Sequence, residues 1–152
     1  MSKLVTEHIA EEYAKNDDTL RVTSLRLSYV QNVEEYAEYE SFADDVEARV
    51  WDLWAYIDAR DVGRAVLASL TYQARGFEPF LIAANDSVMP IPTAELLARR
   101  FPEVPIKGDL QPETSLMSNR RAEEKLGFSP PLMARSRRLI DRPTTELHFR
   151  ST

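Results

Sequence analysis

The stretch LWAYIDARDVGRAVLASLTYQARGFEPFLIAA, residues 53 to 84, reads as strand, helix and strand in succession. Leu53 to Ile57 is a short apolar run of strand length. Asp58 follows in the N-cap position, and Asp61, three residues on, resembles a capping box with aspartate in place of glutamate. Val62, Ala65, Val66, Ser69 and Leu70 then share one helical stripe, and Gly76 suits the exit. Phe77 to Ala84 is a second strand. Pro79 inside it has no backbone donor, which predicts a sheet edge or a bulge. With the helix of Ser2 to Asn16 flowing into a strand at Leu20, the pattern predicts an α/β architecture.

Upstream, Ser2 to Asn16 reads as a helix, with Val5, Ile9 and Tyr13 at four-residue spacing and Ala10 and Ala14 beside them. Asn16-Asp17-Asp18 favours a turn. Leu20 to Val30 alternates like a strand, with Leu25, Leu27 and Tyr29 opposite Arg26, Ser28 and Val30. Gln31 to Val50 is long, acidic and without a clear period, but holds Tyr36, Tyr39 and Phe42. It is either a lid or binding loop, or a surface excursion pinned by its aromatics.

Downstream, Thr93 is placed to cap a helix through Phe101, which Pro102 stops. Val104 to Lys107 reads as a last strand before a turn at Gly108. Ser118 is placed to cap a short helix that ends at Leu126, with Gly127 in the C′ position. Past Pro130 the pattern fails, and residues 131–152 read as an irregular tail with Arg135, Arg137 and Arg138 clustered.

At 152 residues the chain has the length of one domain. Hydrophobic residues at 43% and charged residues at 29% make it too apolar for a disordered chain. A net charge of -6 argues against a nucleic-acid partner, which calls for a basic face. No apolar run approaches the ~18 residues of a membrane span. Met1-Ser2-Lys3 leads straight into a helical pattern with no signal-peptide hydrophobic region, so the expected address is the cytoplasm. The absence of cysteine excludes thiolate nucleophiles and Cys-based zinc sites. His8 and His148 stand in no metal-ligand spacing, so no metal site is expected. There is no GxGxxG, P-loop or GxSxG.

Five stretches carry a resemblance. Ser2-Lys3-Leu4-Val5-Thr6-Glu7 resembles the segment through a Y-x-x-S-K-x-x-x-E motif, and Ser24-Leu25-Arg26-Leu27-Ser28 is similar to an L-R-x-x-N-V strand. Trp54 to Val62 looks like a Y-I-D-x-R-D-V element, Phe80 to Ala84 like an F-x-I-A-A strand, and Ser118 to Phe128 like an S-x-x-A-x-x-x-L-G-[FW]-x-P ending. In this order they resemble the C-terminal part of the NAD-dependent epimerase/dehydratases, a family of extended short-chain dehydrogenases/reductases.

The resemblance covers residues 2 to about 130, with the tail beyond. It implies the C-terminal portion of a Rossmann-type fold, including the smaller substrate-binding region. It also implies an NAD(P)-linked epimerase, dehydratase or oxidoreductase acting on a sugar-like or other hydroxyl- or carbonyl-bearing small molecule, with a homo-oligomer as a possible assembly. The motif tyrosine would fall four residues before Lys3, ahead of Met1, so the chain is expected to begin inside the catalytic motif. The glycine-rich turn for the pyrophosphate is not in this sequence either. The chain alone is therefore expected to bind no dinucleotide and to be inactive. A non-catalytic α/β binding or interaction module derived from the family is the alternative.

Residue by residue, the resemblance makes Lys3 the motif lysine, which holds the nicotinamide ribose and lowers the tyrosine's pKa. Taken alone, Lys3 reads as a solvated lysine. Tyr29 and Val30 fall where the family's strand ends beside the nicotinamide, and are the candidate cofactor contacts. The family's N-V-Y-G-P turn is represented by Tyr29-Val30-Gln31-Asn32-Val33, so its asparagine, tyrosine, glycine and proline are replaced. Nucleotide-sugar epimerases often carry an arginine where Trp54 stands, and tryptophan cannot neutralise a phosphate, which points away from a UDP-sugar.

Arg60 and Arg64, one turn apart, are candidate substrate contacts or else a solvated helix face. Asp58 reads as a cap rather than a catalytic acid. Trp51 and Trp54 read as aromatic packing, with a pocket lining as the other possibility.

Overall fold

The structure, a computed structural model, describes residues 2–130. The irregular tail and its Arg135, Arg137 and Arg138 lie outside the described residues. The element order is α1 (Ser2–Asn16), β1 (Arg21–Leu27), β2 (Val30–Gln31), a 3-10 helix (Glu34–Phe42), a 3-10 turn (Val50–Asp52) and β3 (Ile57–Asp58). It continues with α2 (Ala59–Thr71), β4 (Gly76–Ile82), α3 (Thr93–Arg100) and α4 (Arg120–Leu126). The architecture is mixed α/β with short parallel strands.

β1 pairs parallel with β4, from Arg21 opposite Gly76 to Leu27 opposite Ile82. α1 covers one face: Glu7 accepts from Ser24 Oγ at 2.6 Å and from Arg26 Nε at 2.9 Å. Side chains alternate along a strand, so Leu25 and Phe80 point the other way. There they form a core with Ile57, Ile82, Ala65 of α2, and Ala122 and Phe128 at α4. Glu78 is held on that face by Arg121 and by Lys125 at 2.7 Å. The result is a helix layer on each face of a parallel pair, as burial of both faces of a parallel sheet requires. Pro79 lies opposite Ser24 in β4, which pairs only with β1 among the described residues, so the edge expectation holds.

The expected strand from Leu20 to Val30 is divided. β1 stops at Leu27, and the chain then changes partner, β2 pairing parallel with β3 through Val30–Ile57 and Gln31–Asp58. Gln31 to Val50 is not an irregular loop: its 3-10 helix buries Tyr36 and Tyr39 in a second core with Trp54, Tyr56, Ala84, Val88 and Leu96. The pinned excursion is the reading that fits.

Leu53 to Ile57 is not a strand. Leu53 (φ 55) and Trp54 (φ 56) both adopt the left-handed region, at a cost of about 1–2 kcal/mol per residue. What holds them there is the buried Trp54 ring, whose Nε1 donates to Val46 O at 2.8 Å, together with backbone bonds. The strand proper is Ile57–Asp58. The α1 and α2 stripes are also rotated from expectation. Ala14 is the buried residue of α1, while Val5, Ile9 and Tyr13 are exposed. In α2, Val62, Ala65 and Ala68 pack inward while Val66 and Leu70 are exposed.

Thr93 does not cap α3. The N-cap position is Pro92, with no side-chain cap bond, and Thr93 Oγ1 instead donates to Thr114 O at 2.7 Å. Val104 to Lys107 forms no strand. α4 starts at Arg120 behind Asn119, with Ser118 Oγ accepting from the Arg120 amide at 3.4 Å. Gly127 ends α4 as expected, at φ 66, its N–H bonded to Glu123 O at 3.1 Å and that of Phe128 to Ala122 O at 3.2 Å. That pair of bonds is a Schellman-type ending, which only a residue at ease with positive φ can close. Among the described residues no helix is long and apolar enough to cross a membrane.

Candidate functional site at the carboxyl ends of the strands

In open parallel sheets, ligands settle outside the carboxyl ends of the strands. Here that place is Ser28–Tyr29. The Ser28 amide still donates to Ile82 O at 3.0 Å, continuing β1·β4, while Tyr29 O accepts from the Ile57 amide at 2.9 Å, opening β2·β3. Ser28 and Gln31 are both buried, and neither Ser28 Oγ nor Gln31 Oε1 has a hydrogen-bond partner among the described residues. Such a group costs roughly 1–3 kcal/mol when left unsatisfied, so both atoms call for a polar partner, a buried water or a ligand group.

Its surroundings are charged and hydrogen-bonded. Asp58, opposite Gln31 in the ladder, accepts from Tyr36 OH at 2.7 Å and from the Arg60 amide at 2.7 Å. On the outer side, the Arg49 guanidinium stands 4.4 Å from the Tyr29 ring and 5.6 Å from that of Trp51, and the two rings meet edge to face at 5.7 Å. Arg49 is fixed by Asp52 (Nε to Oδ2, 2.7 Å) and by Ala55 O at 3.1 Å. Burial raises the Asp52 carboxyl above its usual range, against the lowering effect of Arg49. Trp51, 67% exposed, and Tyr29, 40% exposed, present aromatic surface that a planar ring or the apolar face of a sugar can cover.

The sequence-derived candidates fall in two groups. Tyr29 and Val30 sit on the switch point, and Arg60 borders it through Asp58, bonded Nε to Oδ1 at 3.0 Å. Arg64 is one turn further along α2, paired with the buried Asp61. Lys3 instead lines a separate cleft of about 640 Å³ between α1 and β1, together with Glu7, Ser24, Arg26 and Phe77. Glu7 meets Ser24 and Arg26, so Lys3, one turn earlier on the same helix face, is carried toward the carboxyl end of β1.

Tyr56, the tyrosine of the Y-I-D element, is no candidate base. Burial, and then the adjacent Asp86 charge, push its phenol up, and its hydroxyl donates to Asp86 at 2.7 Å. Asp58 acts as the expected cap. Of the two tryptophans, Trp54 is fully buried, while Trp51 is a surface ring.

Ser28, Gln31 and Arg49 escaped sequence reasoning. Ser28 fits the polar side of the expected strand and Gln31 lies past its expected end at Val30, so only their burial in the structure marks them. Among the described residues no cluster of His, Cys, Asp and Glu is arranged to hold a metal ion. No family model matches this chain, and no curated protein matches it significantly.

Proposed function

We propose that residues 2–130 form the C-terminal, substrate-side part of an NAD(P)-dependent epimerase/dehydratase of the extended short-chain dehydrogenase/reductase family. The substrate class is a sugar-like or other hydroxyl- or carbonyl-bearing small molecule. The observation that supports this reading is the strand switch at Ser28–Tyr29, where two buried, unpartnered polar atoms and an exposed aromatic pair belong to the same short stretch of chain and its neighbour Trp51. Tyr29 and Trp51 would cover the apolar face of the ring, Arg60 would orient a polar substituent, and the buried Gln31 and Ser28 would reach substrate hydroxyls through bridging water.

The residues present fit only the nicotinamide end of a dinucleotide. Tyr29 and Val30 are exposed at the carboxyl end of β1, and Lys3 is carried toward that end. When bound, the nicotinamide supplies hydride transfer. Lys3 would hold the adjoining ribose through its ammonium. No glycine-rich turn is present in the sequence for the pyrophosphate. The alternative, a non-catalytic interaction module, is favoured by one feature: the exposed apolar stripe of Val5, Ile9 and Tyr13 on α1.

One measurement checks the expected inactivity and a second decides between the readings. The chain alone should show no change in nicotinamide absorbance with sugar, hydroxy-acid or aldehyde substrates, because hydride acceptor and base are not both positioned. Turnover that survives Lys3→Ala would place the chemistry elsewhere. Polyhydroxylated ligands should nevertheless quench Trp51 emission, a response lost in Trp51→Phe and weakened about tenfold in Gln31→Ala. Trp51 emission unmoved by every substrate class would sink the enzyme-derived reading.

A further inference from the structure

A second cavity, of about 420 Å³, opens at the far end of α3. Its size falls within the range of small-molecule sites. Leu97 and Phe101 from the end of α3 form one wall, and Ile106 and Leu110 form another. Leu53 and Leu116 close it. The only charged lining residue among the described ones is Lys107.

The chain around the cavity is shaped to this end. Gly108, at φ 82, reverses the backbone so that Lys107 and Leu110 both reach the same space. The left-handed Leu53 delivers its side chain to the cavity, while the neighbouring Trp54 braces Phe101 edge to face at 6.1 Å. An open apolar cleft with a single lysine among its lining residues is complementary to one kind of small molecule, an aliphatic chain ending in an anion.

We propose that this cavity binds a medium-chain carboxylate, with the acyl chain among Leu97, Phe101 and Leu110 and the carboxylate on the Lys107 ammonium. The site is separate from the strand switch and does not rest on the oxidoreductase reading. Calorimetric titration of the full chain with sodium decanoate below its micelle concentration, and with decanol as the uncharged match, tests it. Lys107 and Val104 are exposed, so Lys107→Gln and Val104→Trp are expected to fold, which their unfolding midpoints check.

Saturable binding of one decanoate per chain is expected, weakened about tenfold by Lys107→Gln and at least as much by Val104→Trp, which fills the cavity. Decanol should bind about tenfold more weakly than decanoate and be indifferent to Lys107→Gln. Absence of saturable binding, equal affinity for decanol, or decanoate affinity unchanged in either folded variant overturns the proposal.

Discussion

The Asp58 carboxylate accepts from the Arg60 amide at 2.7 Å, from Arg60 Nε and Nη2 at 3.0 Å each, and from Tyr36 OH at 2.7 Å, in a residue 1% exposed. One side chain thus joins the start of α2 to the 3-10 helix. A lost N-cap costs ~1 kcal/mol, and taking an acceptor from a buried hydroxyl adds ~1 kcal/mol or more. Asp58→Ala should therefore lower stability in urea unfolding by about 2 kcal/mol or more. Asp58→Asn should cost ~1 kcal/mol or less, since its amide oxygen still caps and the half-exposed Arg60 gains little from the ion pair. Equal losses in the two variants would show that the charge, not the cap, is what the fold uses.

At the scale of an element, α1 is docked on β1 chiefly by polar contacts. Glu7 bridges to Arg26 and Ser24, and these bonds hold its carboxyl down from the ordinary 4.5 to about 2. A folded value below the unfolded one means the contribution is complete above about pH 4.5 and disappears as pH falls toward 2. Glu7→Gln should remove that part of the acid dependence. Hydrogen exchange of the α1 amides across this pH range is the measurement, and an acid profile identical to that of the unaltered protein would show that Glu7 does not fasten the helix.

For the whole molecule, what matters is which surfaces remain open. The apolar stripe of α1 faces outward, with Val5 52%, Ile9 50% and Tyr13 65% exposed. The edges of β1 and β4 that face away from each other pair with no strand among the described residues. Apolar patches and bare edges drive association. Sedimentation should therefore show concentration-dependent self-association, relieved by Ile9→Lys with a change in stability within about 0.5 kcal/mol, as for a surface substitution. A monomer at all concentrations would mean that the stripe has no partner in a second copy.

Local chemistry alone determined the features that depend on a few neighbouring residues. The extent of α1, the cap at Asp58 and the stop at Gly127 were legible because a helix, its cap and a left-handed ending are settled within one or two turns. So was the α/β character, read from helices leading into strands. Only the tertiary structure decided which face each helix buries: α1 turns Ala14 and Glu7 inward, against its apolar period, because Arg26 and Ser24 wait on the strand beneath. The change of partner after Leu27 also lay beyond local reading, since it depends on Leu27 pairing with Ile82, 55 residues on, and Val30 pairing with Ile57, 27 residues on. That switch is what buries Ser28 and Gln31, so the candidate site itself is a product of long-range pairing, which no single stretch of chain encodes.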